Sequence, residues 1–150
     1  MTAKEFLFQA FTIDKTVNSR LLEIERLQEQ RERIRARLEA GRVSNLSGMP
    51  RGGGSDWTDS VSRATEIDKK LEAAIDNLNV DVQEMCRVKR IIAEAIDSVD
   101  EARYRLVLEY RYRDLLKWED VAAKMGYELR QTFNLHGEAL LRVKVPDEFA

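Results

Sequence analysis

Four side chains in one short stretch have the chemistry to read a base pair. Arg130 can give a bidentate pair to guanine O6 and N7, Gln131 or Asn134 can do the same with adenine N6 and N7, and Phe133 can cover a thymine methyl. Within a helix, Arg130, Gln131 and Asn134 lie within about one turn of one another, so all three can face one groove. Around them are Arg111, Arg113, Lys117, Lys124, Arg142 and Lys144, cations of the kind that contact phosphates and set a protein's register on a duplex. Each of these six, taken alone, is also what a plain solvated charge looks like.

Such a reading face needs a second helix behind it, held at a steep angle. Residues 118–137, WEDVAAKMGYELRQTFNLHG, read as helix, sharp turn, helix. Val121, Ala122 and Met125 share one helical face. Gly126 stops the first helix, because glycine takes a left-handed conformation without a Cβ penalty. Thr132 and Leu135 face inward from the second helix, with Leu140 and Leu141 continuing its apolar side. Small Ala122 lets two backbones approach, as a helix-turn-helix requires. Other chemistry finds no constellation. His136 is the chain's single histidine, with no partner for a metal site or a nucleophilic pair, and reads as a packing or capping residue. Cys86 reads as a partly buried, unreactive thiol beside Met85. Trp57 and Trp118 each follow an expected helix start and read as core anchors. Glu119 and Asp120 suit a helix N-terminus. No metal, cofactor or catalytic role is expected.

The residues Leu108-Glu109-Tyr110-Arg111-Tyr112, Trp118-Glu119-Asp120-Val121-Ala122, Gly126-Tyr127, Gln131, Leu135-His136 and Ala139-Leu140 resemble region four of bacterial sigma factors. More narrowly, the chain resembles short phage-encoded proteins that carry such a region behind a long helical half, including a Pro-Arg-Gly-rich linker like residues 49–55. It is similar only loosely to the ArpU and RinA type of phage transcriptional regulators. The resemblance implies binding to double-stranded DNA and control of transcription, with host RNA polymerase as a partner, in the cytoplasm of a bacterial host cell. The chain departs from that pattern at Glu128, where a Ser or Thr cap is usual, and at Leu129 and Asn134, where basic residues are common. Lys117 likewise replaces a Ser or Thr cap. A carboxylate at a helix N-terminus suits the helix and repels phosphate.

Composition sets the frame. Among 150 residues, 35% are charged and 7% aromatic, which suggests long solvated helices rather than a sheet-rich core. The net charge of −2 is not that of a strong nonspecific nucleic-acid binder, but residues 101–145 carry nine Lys/Arg against seven Asp/Glu. One cysteine precludes an internal disulfide and fits a reducing compartment. No stretch is apolar and long enough to span a bilayer, and no signal peptide is evident.

Two long helices are expected before the motif. The first opens on a capping box, Thr2 with Glu5, and runs to about residue 40. Ile13, Val17, Ile24, Leu27, Ile34 and Leu38 mark its heptad seam, with Arg20 and Arg31 in seam positions. Residues 41–55 hold five of the seven glycines and read as a mobile linker. Asp56 caps a second helix over residues 57–97, with a stripe of Val61, Ala64, Ile67, Leu71, Ile75, Leu78, Val82, Met85, Val88, Ile92 and Ile96. Ser98 and Glu101 have capping-box spacing ahead of a helix over 101–114, on which Leu106 and Tyr110 face inward with Val107 at the edge. The last helix is expected over residues 129–143; Pro146 ends the three-helix unit and residues 147–150 are expected to fray.

The expected architecture is all-α: a long antiparallel helical hairpin (a coiled coil) over residues 1–98, a sigma-like three-helix unit over 99–146, and a tail over 147–150. The second stripe is denser than one partner helix needs, so the long helices are expected to associate with another copy. No membrane partner is expected. Two other classes fit the same pattern. One is a coiled-coil adaptor between proteins with a degenerate helix-turn-helix. The other is a DNA-packaging component resembling small terminase subunits, although those usually place the DNA-binding unit first.

Overall fold

The computed structural model describes residues 1–46 and 54–150, and side chains over 1–41 and 58–150; every regular element described is helical. Helix α1 spans Ala3–Leu46 and α2 spans Gly54–Asp97. They are followed by α3 (Ala102–Leu108), a π-helical turn (Glu109–Arg113), α4 (Trp118–Met125), α5 (Leu129–Leu140) and a 3-10 turn (Asp147–Phe149). No described helix is long and apolar enough to cross a membrane.

The capping box at the start of α1 is present. The Thr2 N–H donates to Glu5 Oε2 at 2.8 Å and the Glu5 N–H to Thr2 Oγ1 at 3.2 Å. Both long helices exceed their expected bounds at the linker. α1 passes through Gly41 to Leu46, because one glycine costs only about 1 kcal/mol in a helix interior. α2 starts at Gly54, so Asp56 lies inside its first turn rather than capping it. Residues 47–53, the centre of the expected mobile linker, and the Trp57 side chain lie outside the described residues.

The chain forms two compact units. The first comprises Val17–Val80. Here α1 and α2 pack through a heptad seam. The α1 side follows the expected residues, including Arg20 and Arg31, which are half-buried. The α2 side differs from the expected stripe. Ala64, Ile67, Leu71, Ala74 and Leu78 are the covered positions, while Val61 and Ile75 are each 40% exposed. A two-helix seam requires alternating steps of three and four. Selecting the larger apolar residues breaks that alternation, and small Ala74 keeps it.

The second unit comprises Met1–Thr16 and Asp81–Ala150. Its core takes Phe6, Leu7 and Ala10 from α1, Val88, Ile92 and Ile96 from α2, and Tyr104, Val107, Leu108, Tyr112, Val121, Leu135 and Ala139 from the later helices. Four sequence expectations are corrected here. Val107 and Leu108 are fully buried, whereas Leu106 is 39% exposed, so α3 presents a different face. Ser98 does not open a capping box: its hydroxyl donates to the Ala95 carbonyl at 2.7 Å, and Glu101 precedes α3 without a side-chain cap. Cys86 is exposed rather than partly buried. The last residues are docked instead of frayed. The Phe149 ring lies 5.2 Å from that of Phe6, and Glu148 pairs with Arg87 at 3.0 Å.

Candidate nucleic-acid interface

The expected turn between the two motif helices forms as a Schellman turn. Gly126 sits at φ +73°, and nothing lies within 4 Å of where a Cβ would project. The Tyr127 N–H donates to the Ala122 carbonyl at 3.0 Å and the Gly126 N–H to the Ala123 carbonyl at 3.3 Å, satisfying two carbonyls at the end of α4. Val121 and Ala122 are buried on one side of the corner, and Thr132, Leu135, His136 and Ala139 on the other. The Thr132 hydroxyl returns a hydrogen bond to the Glu128 carbonyl at 3.0 Å, so this fully buried polar group is satisfied.

Arg130, Gln131, Phe133 and Asn134 all lie on the outer, exposed side of α5. They are not equally available. The Gln131 side chain folds back, and its Oε1 accepts from the Glu128 N–H at 3.3 Å, so part of it serves the helix start. The Phe133 ring packs edge-on against Trp118 at 5.1 Å and keeps 47% of its surface exposed. Arg130 and Asn134 have no side-chain hydrogen bond or ion pair among the described residues. Two further residues share their face. Gly137 and Leu141 follow Asn134 at helical spacing; Leu141, expected to continue the apolar inner side, is instead 84% exposed because α5 ends at Leu140, and a Cβ at Gly137 would meet nothing within 4 Å. The steps of four, three and four from Arg130 through Asn134 and Gly137 to Leu141 were the available signal.

The six cations divide into two groups. Lys117, Lys124, Arg142 and Lys144 are exposed. Lys124 rests 5.4 Å from the Tyr110 ring centre and Arg142 lies 5.1 Å from that of Tyr104, their charged ends still in water. Arg111 and Arg113 have internal partners. Arg113 pairs with Asp97 at 3.5 Å and Glu109 at 3.9 Å. The Arg111 guanidinium donates to the Leu116 carbonyl at 2.7 Å and stacks 4.5 Å from both Phe11 and Trp118. Partial burial, above all, lowers its pKa. It holds the corner after the π turn, where Leu115 takes φ +55°, rather than reaching outward.

No family model, curated protein or solved structure matches this chain.

Behind the face sits a packed aromatic group. The His136 Nε2 and Tyr112 hydroxyl share a hydrogen bond of 2.7 Å, and the imidazole meets Trp118 edge-on at 4.7 Å. Burial, reinforced by Lys4 and Arg111, pushes the His136 pKa down to about 4. Burial pushes the Tyr112 phenol up to about 12, with Arg111 opposing. Both are therefore neutral at pH 7, and together they brace α5 against the π turn. Among the described residues no group of three or more His, Cys, Asp or Glu is placed to hold a metal.

Proposed function

We propose that this chain is a DNA-binding transcriptional regulator that reads double-stranded DNA through α5 and works beside host RNA polymerase on phage genes, in a bacterial cytoplasm. The observation that carries this reading is the pairing of a Schellman corner at Gly126 with an outward helix face on which Arg130 and Asn134 have no side-chain partner among the described residues. Lys117, Lys124, Arg142 and Lys144 supply phosphate contacts around it. Arg111 and Arg113 drop out of that set because their groups are engaged within the protein. The small positive balance of residues 101–145 makes affinity modest, so polymerase contacts complete the binding. Self-association through the long helices accompanies this reading.

Binding-site selection from random duplexes, with and without bacterial RNA polymerase, is the test. An enriched sequence that loses about 1–3 kcal/mol of affinity with Arg130→Ala supports base reading. No enrichment in either condition, with the protein folded, removes it. A second reading, an adaptor between proteins, has its own support. Leu129, Phe133 and Leu141 leave 41%, 47% and 84% of their surfaces exposed on or beside α5, and Glu128 places a carboxylate at its start.

A further inference from the structure

The seam of the Val17–Val80 unit divides its remaining surface into two unlike sides. With Val17, Ile24, Arg31 and Leu38 at heptad position a and Arg20, Leu27 and Ile34 at d, position e of α1 holds Leu21, Gln28 and Arg35. On α2, Ala64, Leu71 and Leu78 take a, Ile67 and Ala74 take d, and e holds Val61, Asp68 and Ile75. In an antiparallel pair e faces e and g faces g. The g side holds Glu23, Gln30, Arg37, Arg63, Lys70 and Asn77, with no apolar residue. The e side is half apolar, and Leu21, Val61 and Ile75 are 49%, 40% and 40% exposed. In the other unit the same heptad position holds Leu7, Asp14, Val82, Lys89 and Ile96; Leu7 and Ile96 are completely buried in the core, and Lys89 pairs with Asp14 at 3.4 Å. Where no later helix supplies a cover, the e row is left open.

We propose that a second copy of this chain covers the e side of the Val17–Val80 unit, the two copies related by a twofold axis that lays α1 of one on α2 of the other. This specifies the face used in the self-association of the proposed regulator and rests on that reading only for its biological purpose. The charges select a second copy as the occupant. The e side carries Arg31 and Arg35 on its α1 edge and Asp68, Glu72 and Asp76 on its α2 edge, all lining one open hollow around Ile75. A twofold interface must complement itself, and a basic edge beside an acidic edge does so when turned over. The Arg31 Nε is buried and has no hydrogen-bond partner among the described residues, and the rest of its guanidinium borders the hollow that an acidic edge of the other copy would meet.

Sedimentation equilibrium of the full chain, from micromolar to millimolar, with circular dichroism on the same samples, tests this. The wild type should approach twice the chain mass. The double change Leu21→Lys with Ile75→Lys should give a monomer of undiminished helix content, since both side chains are exposed. Should lysines there cost helix, Leu21→Ala with Ile75→Ala gives the same readout in good helix formers, with dissociation raised at least about a hundredfold. Gln30→Lys with Asn77→Lys, on the g side, should leave the dimer intact. A monomeric wild type, or a dimer that survives the e-side changes, overturns the proposal. So does a dimer lost through the g-side changes alone. A monomer that still enriches a DNA sequence would refute the pairing and leave the DNA-reading proposal standing.

Discussion

Acid should loosen the helix-turn-helix through His136. The folded protein holds this imidazole at a pKa of about 4, against an ordinary 6.5, chiefly because it is buried against Tyr112 and Trp118. An unfolded chain takes up the proton first. Between pH 6.5 and about 4 the unfolded state therefore binds more protons than the folded state, and stability falls as pH falls through that window. The contribution is fully present above pH 6.5 and is exhausted below about 4. At about 1.4 kcal/mol per pH unit the gap corresponds to about 3 kcal/mol. Solvent still reaches part of the ring, and screening brings the expected loss to roughly 2 kcal/mol. Carboxylates titrate over the same range, so the useful quantity is a difference. Urea unfolding of the wild type and of His136→Gln, followed from neutral to acidic pH, should give stabilities that converge or cross as pH falls, because only the wild type loses the His136 contribution. The single histidine also allows a direct reading by nuclear magnetic resonance, since its ring protons carry no overlap from other imidazoles. A titration midpoint near 6.5 in the folded protein, or a stability difference independent of pH, would refute the reasoning.

Three further perturbations test the frame around the reading face. Gly126→Ala meets no clash but forces alanine to φ +73°, and denaturant unfolding should show a loss of roughly 1–2 kcal/mol. Arg111→Ala removes the bond to the Leu116 carbonyl and two ring contacts, for an expected loss of about 2 kcal/mol, with little change in the salt dependence of any DNA binding. Arg111→Lys should recover only part of that stability, because an ammonium lacks the planar fork. Phe149→Ala should cost about 1 kcal/mol, since a half-buried ring leaves Phe6, whereas a frayed tail would show no effect in the same unfolding experiment.

The helix-turn-helix was the most legible part of the chain, because Ala122, Gly126 and Thr132 each answer a local steric demand. The all-helical class and the α1 seam followed from periodicity just as directly. The π turn was not legible. Its defining bond, from the Asp114 N–H to the Glu109 carbonyl at 3.0 Å, depends on tertiary packing around Tyr112. A regular α-helical phase put Leu106 inward, and the structure buries Val107 and Leu108 instead. The commitment of Arg111 was equally hidden. Nothing local marks an arginine that will cap a carbonyl five residues on, between rings from α1 and α4. At the face itself, residue type named Arg130 and Asn134, but only the packed structure shows Gln131 turned back to its own helix start. On α2, size misled: Ile75 looks like a better core residue than Ala74, yet the two-helix register places the alanine on the axis.

Phe6 touches a ring 143 positions later in the chain, at Phe149. Residues of α2 share the core around the first turns of α1, but that core closes only when α5 and Phe149 are in place. The α1–α2 seam can assemble while synthesis continues, but closing the core with α5 and Phe149 is a longer-range event. A chain interrupted before α5 lacks Leu135, Ala139 and Phe149 from the cluster that holds Phe6, Leu7 and Ala10, and leaves that core partly open. Such nascent chains would be natural clients of chaperones and proteases. The last part of the core to close is thus the part that surrounds the first turns of α1.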